Sequence, residues 1–253
     1  MKHLYLPDTQ IRDGDDTSFL TAIGNYIVKK QPEKIICLGD FADMPSLSSY
    51  DVGKKAFEGK RYLKDVIATK KAMAALMEPL ISYNERQAQA KHKMYWPEQH
   101  LTLGNHEHRI VRAVENDAKL EGMLTTSDLG YEEFGWKVYP FLEVLLLDNI
   151  AYSHYFVTGV AGRPAGTAAA QLRKTNMSSV AGHQQGRQVA YAPRADGSQI
   201  AGIIAGSCYE HDEGYLGPQG NKHWRGIIML NEVVNGSFDE MFVSLKFLKE
   251  RYL

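Results

Sequence analysis

Apolar residues follow two spacings along this chain. Leu4 to Leu6, Lys34 to Leu38 and His100 to Leu103 read as short strands, and the apolar run of Lys34 to Leu38 is the pattern of a strand buried on both faces. Each ends in a polar turn: Pro7-Asp8, Gly39-Asp40 and Gly104-Asn105. Between the runs, apolar positions recur at helical spacing. Asp16 to Lys30 carries Phe19, Leu20, Ile23 and Ile27 on one stripe, and Gln31-Pro32 closes it. Tyr62 to Ala90 carries Val66, Ile67, Met73, Leu76, Met77 and Leu80, with Pro79 expected to bend or divide the helix. Core packing accounts for this methionine-rich stripe. A third helix is expected from about Glu107 to Leu120. The alternation of strand and helix predicts a mostly parallel sheet with right-handed crossovers.

The second half has a different texture. Trp136 to Tyr139, Glu143 to Leu147, Ala151 to His154, Val180 to Gly182, Ile200 to Ala205 and Gly226 to Leu230 read as strands joined by turns. One helix, Thr167 to Met177, interrupts them. Asp43 to Gly59 is mixed and Ser-rich and reads as an active-site loop. Gly159 to Gly166 reads as a flexible lip beside His154. No internal repeat or linker divides the chain, so residues 1–253 are expected to form one α/β domain of two packed sheets.

Composition narrows the class. The hydrophobic fraction of 44% and charged fraction of 23% suit an ordinary globular protein with a sizeable core. The net charge of −1 gives no global basic field to favour nucleic acid or an anionic membrane. Only Cys37 and Cys208 are present, too few for a disulfide framework. The N-terminus turns polar too early for a signal-peptide core, and no apolar stretch approaches a membrane span. A cytoplasmic location without a membrane partner is expected.

The three early turns carry Asp8-Thr9-Gln10, Gly39-Asp40-Phe41-Ala42-Asp43 and Gly104-Asn105-His106-Glu107. In an open α/β sheet, ligands bind at the carboxyl ends of strands, so these motifs should meet on one rim. Tyr152-Ser153-His154 and Gly182-His183-Gln184-Gln185 add histidines at later strand ends. Alone, Asp8 reads equally as a helix N-cap, Gly39-Asp40 as turn chemistry and His154 as a core histidine. Together they supply the oxygen and imidazole donors that two divalent cations need, and the Asp40 carboxylate is suited to bridge them.

This ordered set resembles the calcineurin-like metallophosphoesterases, whose motifs run D-x-H, G-D-x-x-D, G-N-H-[DE], H and G-H-x-H. The resemblance covers roughly residues 4 to 206. It implies a four-layer α/β/β/α sandwich of two mixed sheets flanked by helices. It also implies one metal held by Asp40, Asn105, His154 and His183, and a second held by Asp8, Gln10, Asp40 and Gln185. Positions 10 and 185 would be histidine in the family, so both departures fall on the second metal. An all-oxygen site favours Mn²⁺, with Mg²⁺, Fe and Zn²⁺ as alternatives, and it should bind more weakly. The change reads either as a weaker working site or as a lost one.

The same resemblance makes His106 the catalytic histidine, which protonates the departing alkoxide. Asp43 would orient that histidine, or else cap its own loop. The implied reaction is attack on phosphorus by a metal-bridging hydroxide, hydrolysing a phosphomonoester or phosphodiester. Arg109 could clamp a phosphate oxygen or lie on a solvent-facing helix side. Tyr209 and His211 are candidates for the substrate pocket, or members of a surface loop. Met44 stands where the protein phosphatases carry arginine, which argues against a phosphoprotein. The chain ends soon after the core, which argues against a processive nuclease; small diesters, nucleotides and DNA ends stay open. A binding or scaffold module that lost turnover is the contrasting expectation, and a mononuclear enzyme is a third.

Overall fold

The computed structural model describes residues 1–50, 52–214 and 216–253, with only the backbone described at Ala56. Its elements are β1 (His3–Leu6), α1 (Ser18–Lys30), β2 (Lys34–Cys37), α2 (Tyr62–Gln89), β3 (Glu98–Thr102), α3 (His108–Asn116) and β4 (Lys137–Tyr139). Then follow β5 (Leu145–Leu147), β6 (Ile150–Ser153), β7 (Val157–Thr158), β8 (Arg163–Pro164), α4 (Ala168–Thr175), β9 (Ser179–Ala181), β10 (Gln188–Pro193) and β11 (Gln199–Ile204). The chain closes with α5 (Gly217–Gly220), β12 (Gly226–Val234), β13 (Ser237–Ser244) and α6 (Leu245–Tyr252).

One sheet runs β13-β12-β1-β2-β3-β4, and the other runs β10-β11-β9-β6-β5. Both are mixed. In the first, β1 to β4 are parallel while β12 and β13 are antiparallel; in the second, β11, β9 and β6 are parallel between antiparallel edges. Strand parity builds the layers. Leu4, Leu6, Ile35 and Cys37 join Phe19, Ile23, Leu76 and Leu80 in a core beneath α1 and α2. Their neighbours Tyr5, Ile36 and Leu38 point the other way, into a second core with Tyr152, Val180 and Ile203 from the facing sheet. Helix α4 packs on the far face, against β9, β10 and β11. The result is the α/β/β/α sandwich of two mixed sheets.

Several details depart from the expected elements. Pro79 does not divide α2, which runs unbroken from Tyr62 to Gln89. Its ring is buried against α1 at Gly24, so packing outweighs the missing backbone donor. Ile67 is exposed and lies off the buried stripe. The third helix stops at Asn116 and gives way to a short 3₁₀ turn at Ala118–Leu120. Strands β10 and β13 and helix α6 were not expected from the sequence pattern. Part of the glycine-rich lip is a hairpin of β7 and β8. The Asp43–Gly59 segment contains two 3₁₀ turns, and its Asp51 lies outside the described residues. No helix among the described residues is long and apolar enough to cross a membrane. Cys37 and Cys208 are buried free thiols, and burial pushes both well above the ordinary thiol range.

Candidate metal centre

The loops after β1 and β2 run side by side. Thr9 N–H and Gln10 N–H donate to the Asp40 carbonyl at 3.1 and 2.8 Å, and Asp43 N–H returns a bond to Ile11 at 3.0 Å. This ladder joins the first two motifs. Gly39 takes φ +88° and touches the third, because a Cβ there would stand 2.5 Å from Gly104 N. Glu107 locks the junction: its carboxylate accepts from Asp40 N–H at 2.9 Å, Gly104 N–H at 2.9 Å, Ala42 N–H at 3.0 Å and Tyr131 Oη at 3.2 Å.

Four donor groups of the first expected metal converge. Asn105 Oδ1 lies 2.9 Å from His154 Nε2 and 2.8 Å from His183 Nδ1. Ligand atoms of Asp40, His154 and His183 all lie within 4.8 Å of one another. His154 Nδ1 donates to the Leu38 carbonyl at 2.8 Å, which turns the Nε2 lone pair toward Asp40 and Asn105. Burial holds His154 and His183 neutral, each lowered to about 4, and a neutral imidazole is the form that ligates. Lone pairs facing one another across such distances suit a cation between them.

The second set is present but looser. Asp8 Oδ1 accepts from His183 N–H at 2.9 Å, whereas Asp8 Oδ2 is buried without a partner among the described residues. Gln10 Oε1 is a second buried oxygen without one. Both orphans belong to the residues expected to share one metal, and such atoms are costly unless something binds them. Burial and the neighbouring Asp40 charge push the Asp8 carboxyl well above the usual range, strain that a divalent cation would relieve. Gln185 is less committed: its Oε1 already accepts from Tyr209 Oη at 2.7 Å, although an amide oxygen keeps a second lone pair. The donor set around Asp40 therefore fits one divalent ion, and two buried oxygens without partners stand among the residues expected to hold a second, with Gln185 its weakest member.

Three of these residues are held in unusual backbone conformations. Gln10, Asp40 and His183 take φ of 43°, 49° and 67°, the left-handed region that side chains other than glycine seldom adopt. Asp8 serves no N-cap; Thr17 precedes α1 instead.

Beside the metal ligands lies a charged chain. His106 Nδ1 stands 2.5 Å from Asp43 Oδ1, and its backbone N–H donates to Asp40 Oδ1 at 2.8 Å. Asp43 therefore orients His106, and among the described residues its carboxylate caps no loop. Arg12 pairs with Asp43 through Nε and with Glu213 through Nη2, and Glu213 meets His211 Nε2 at 2.9 Å. Burial works to raise the Asp43 carboxyl, but the His106 hydrogen bond and the charges of His106, Arg12 and Arg109 hold it well below the carboxylate range. Burial likewise opposes the imidazolium of His106, yet Asp40 and Asp43 win and raise its pKa. Arg109 pulls the other way, with Nη2 3.2 Å from His106 Nε2.

Arg109 also donates to the Asp43 carbonyl at 2.8 Å, so its guanidinium is engaged in holding the Asp43 loop. Tyr209 is buried and stacks on His211 at 4.4 Å, which puts both near the second metal's side through Gln185. Tyr215, four residues beyond His211, lies outside the described residues. Arg12, Glu213 and Glu107 are functional candidates that the sequence reading missed. Glu107 had a signal, its place in the Gly-Asn-His-Glu motif; Arg12 and Glu213 stand 201 positions apart and had none. No family model and none of the curated proteins matches this sequence.

Proposed function

We propose that this protein hydrolyses phosphate esters at a dinuclear metal centre of the calcineurin-like metallophosphoesterase type. The observation that carries the reading is the convergence of Asp40, Asn105, His154 and His183 beside the His106–Asp43 pair. Two divalent ions, Mn²⁺ first among them, would supply the Lewis acidity that activates water and neutralises phosphate oxygens. The protein's own groups do the rest. Asp43 holds the Nδ1 proton of His106, and Nε2 lies 3.7 Å from Asp40 Oδ2 and 3.2 Å from Arg109 Nη2. In hydrolysis the water oxygen bonds to phosphorus, the ester P–O bond breaks, and the departing alkoxide takes a proton from His106. Arg109 and Arg12 keep Asp43 ionised and in place.

Hydrolysis of bis-p-nitrophenyl phosphate and p-nitrophenyl phosphate tests this, with Mn²⁺ titrated into metal-stripped protein and His106→Ala as control. Metal-dependent turnover that collapses in the variant is expected, and the ratio of the two rates separates diesterase from monoesterase. Turnover equal to that of the variant at saturating Mn²⁺ would instead support a binding module, the reading that the engaged Gln185 oxygen favours.

A further inference from the structure

Aromatic rings continue outward from the His154–His183 side of the centre. Tyr155, next after His154, has its ring 4.8 Å from His183 and 5.7 Å from His154. Phe141, from the turn between β4 and β5, meets Tyr155 edge-on at 5.6 Å and lies 6.0 Å from His154. His108, the first residue of α3, stacks on Phe141 at 4.8 Å with the planes inclined by 26°. Segments following β3, β4 and β6 thus each deliver one ring to the same rim. All three rings remain partly exposed, with Phe141 also packed against the core beneath α1 and α2. Arg112, one turn beyond His108 on α3, is exposed and has no hydrogen-bond or ion-pair partner among the described residues. It is close enough for its charge to act on both Tyr155 and His108.

We infer that this wall of Phe141, Tyr155 and His108, with Arg112 at its edge, binds a nucleobase beside the metal centre, so that the substrate is a nucleotide-bearing phosphate ester. The inference rests on the phosphoesterase reading for its catalytic half and on the wall for its specificity. Any base offers a flat π-face to such rings, so stacking on them tolerates any base identity. The metal centre would draw the phosphate whatever the base, so stacking on the wall would carry the preference for a nucleotide.

Titration calorimetry of the Mn²⁺-loaded protein with AMP and with ribose 5-phosphate isolates the base, because the two ligands share sugar and phosphate. AMP should bind about tenfold more tightly. Phe141→Ala and Tyr155→Leu should each draw that ratio toward one, while Phe141→Tyr should keep it; ribose 5-phosphate binding in the same variants reports whether the centre is intact. Equal affinity for the two ligands, or a preference that survives both truncations, would overturn the inference. Its failure is distinct from failure of the phosphoesterase reading, which shows as absent turnover of bis-p-nitrophenyl phosphate whatever AMP does.

Discussion

Gly182 and Asp8 compete for one space: a Cβ built on Gly182 would stand 2.7 Å from Asp8 Oδ1. That oxygen is already held by His183 N–H, so the carboxylate cannot move aside without losing the bond. Gly182→Ala should therefore keep the fold and weaken the second metal. Metal analysis after dialysis should find fewer than two Mn²⁺ per chain in the variant under conditions that saturate the parent; equal stoichiometry would refute the proposed role of Asp8.

Replacing Glu107 addresses the framework. Both of its oxygens accept, one from Asp40 and Gly104, the other from Ala42 and Tyr131. Burial and the Asp40 charge raise its pKa, against the pull of the backbone donors. A glutamine must turn its NH₂ toward one pair of donors, a conflict costing about 2–3 kcal/mol. For a chain of this size that is a fall in Tm of roughly 5–10 °C by calorimetry. An unchanged Tm would mean the carboxyl is protonated in the parent.

Arg12 is a positioning residue by the same logic, since it touches Asp43 and not the reacting atoms. Arg12→Met should lower kcat about tenfold, a fraction of the 10²–10⁴ that acid–base catalysis contributes. KM should change little, and Arg12→Lys should recover part of the loss. A rise in KM with kcat unchanged would place Arg12 in substrate binding.

The two glutamines can be tested together. Gln10 sits at φ 43°, a conformation histidine tolerates better than most residues. The Gln10→His, Gln185→His double variant should bind Zn²⁺ more tightly than the parent, as imidazole replaces amide oxygen. Calorimetry with Zn²⁺ and Mn²⁺ would detect the changed selectivity.

His3 governs a pH response away from the metals. Its ring is buried between Tyr152 Oη at 2.8 Å and Asp148 at 2.9 Å. Burial lowers its pKa to about 4, although Asp148 opposes the shift. The unfolded chain therefore binds the proton first, near pH 6.5. Stability is fully present above that pH and falls as pH drops toward 4, by on the order of 3 kcal/mol at most. His3→Gln should show a shallower fall than the parent in denaturant titrations between pH 7 and 4. Parallel curves would exclude His3 as a contributor.

What the sequence determined by itself was local. Short apolar runs ending in Pro-Asp, Gly-Asp or Gly-Asn named three of the parallel strands and placed Asp8, Asp40, Asn105 and His106 at their carboxyl ends, because strand period and turn chemistry are properties of neighbouring residues. Edge strands such as β13 escaped notice: its burial alternates with exposure along a polar run, so its place depends on the pairing with β12. Tertiary structure alone decided which charges meet. Arg12 finds Glu213, Glu107 ties two loops together, and Phe141 faces Tyr155, since side chains far apart in sequence become neighbours only when two sheets close over one core.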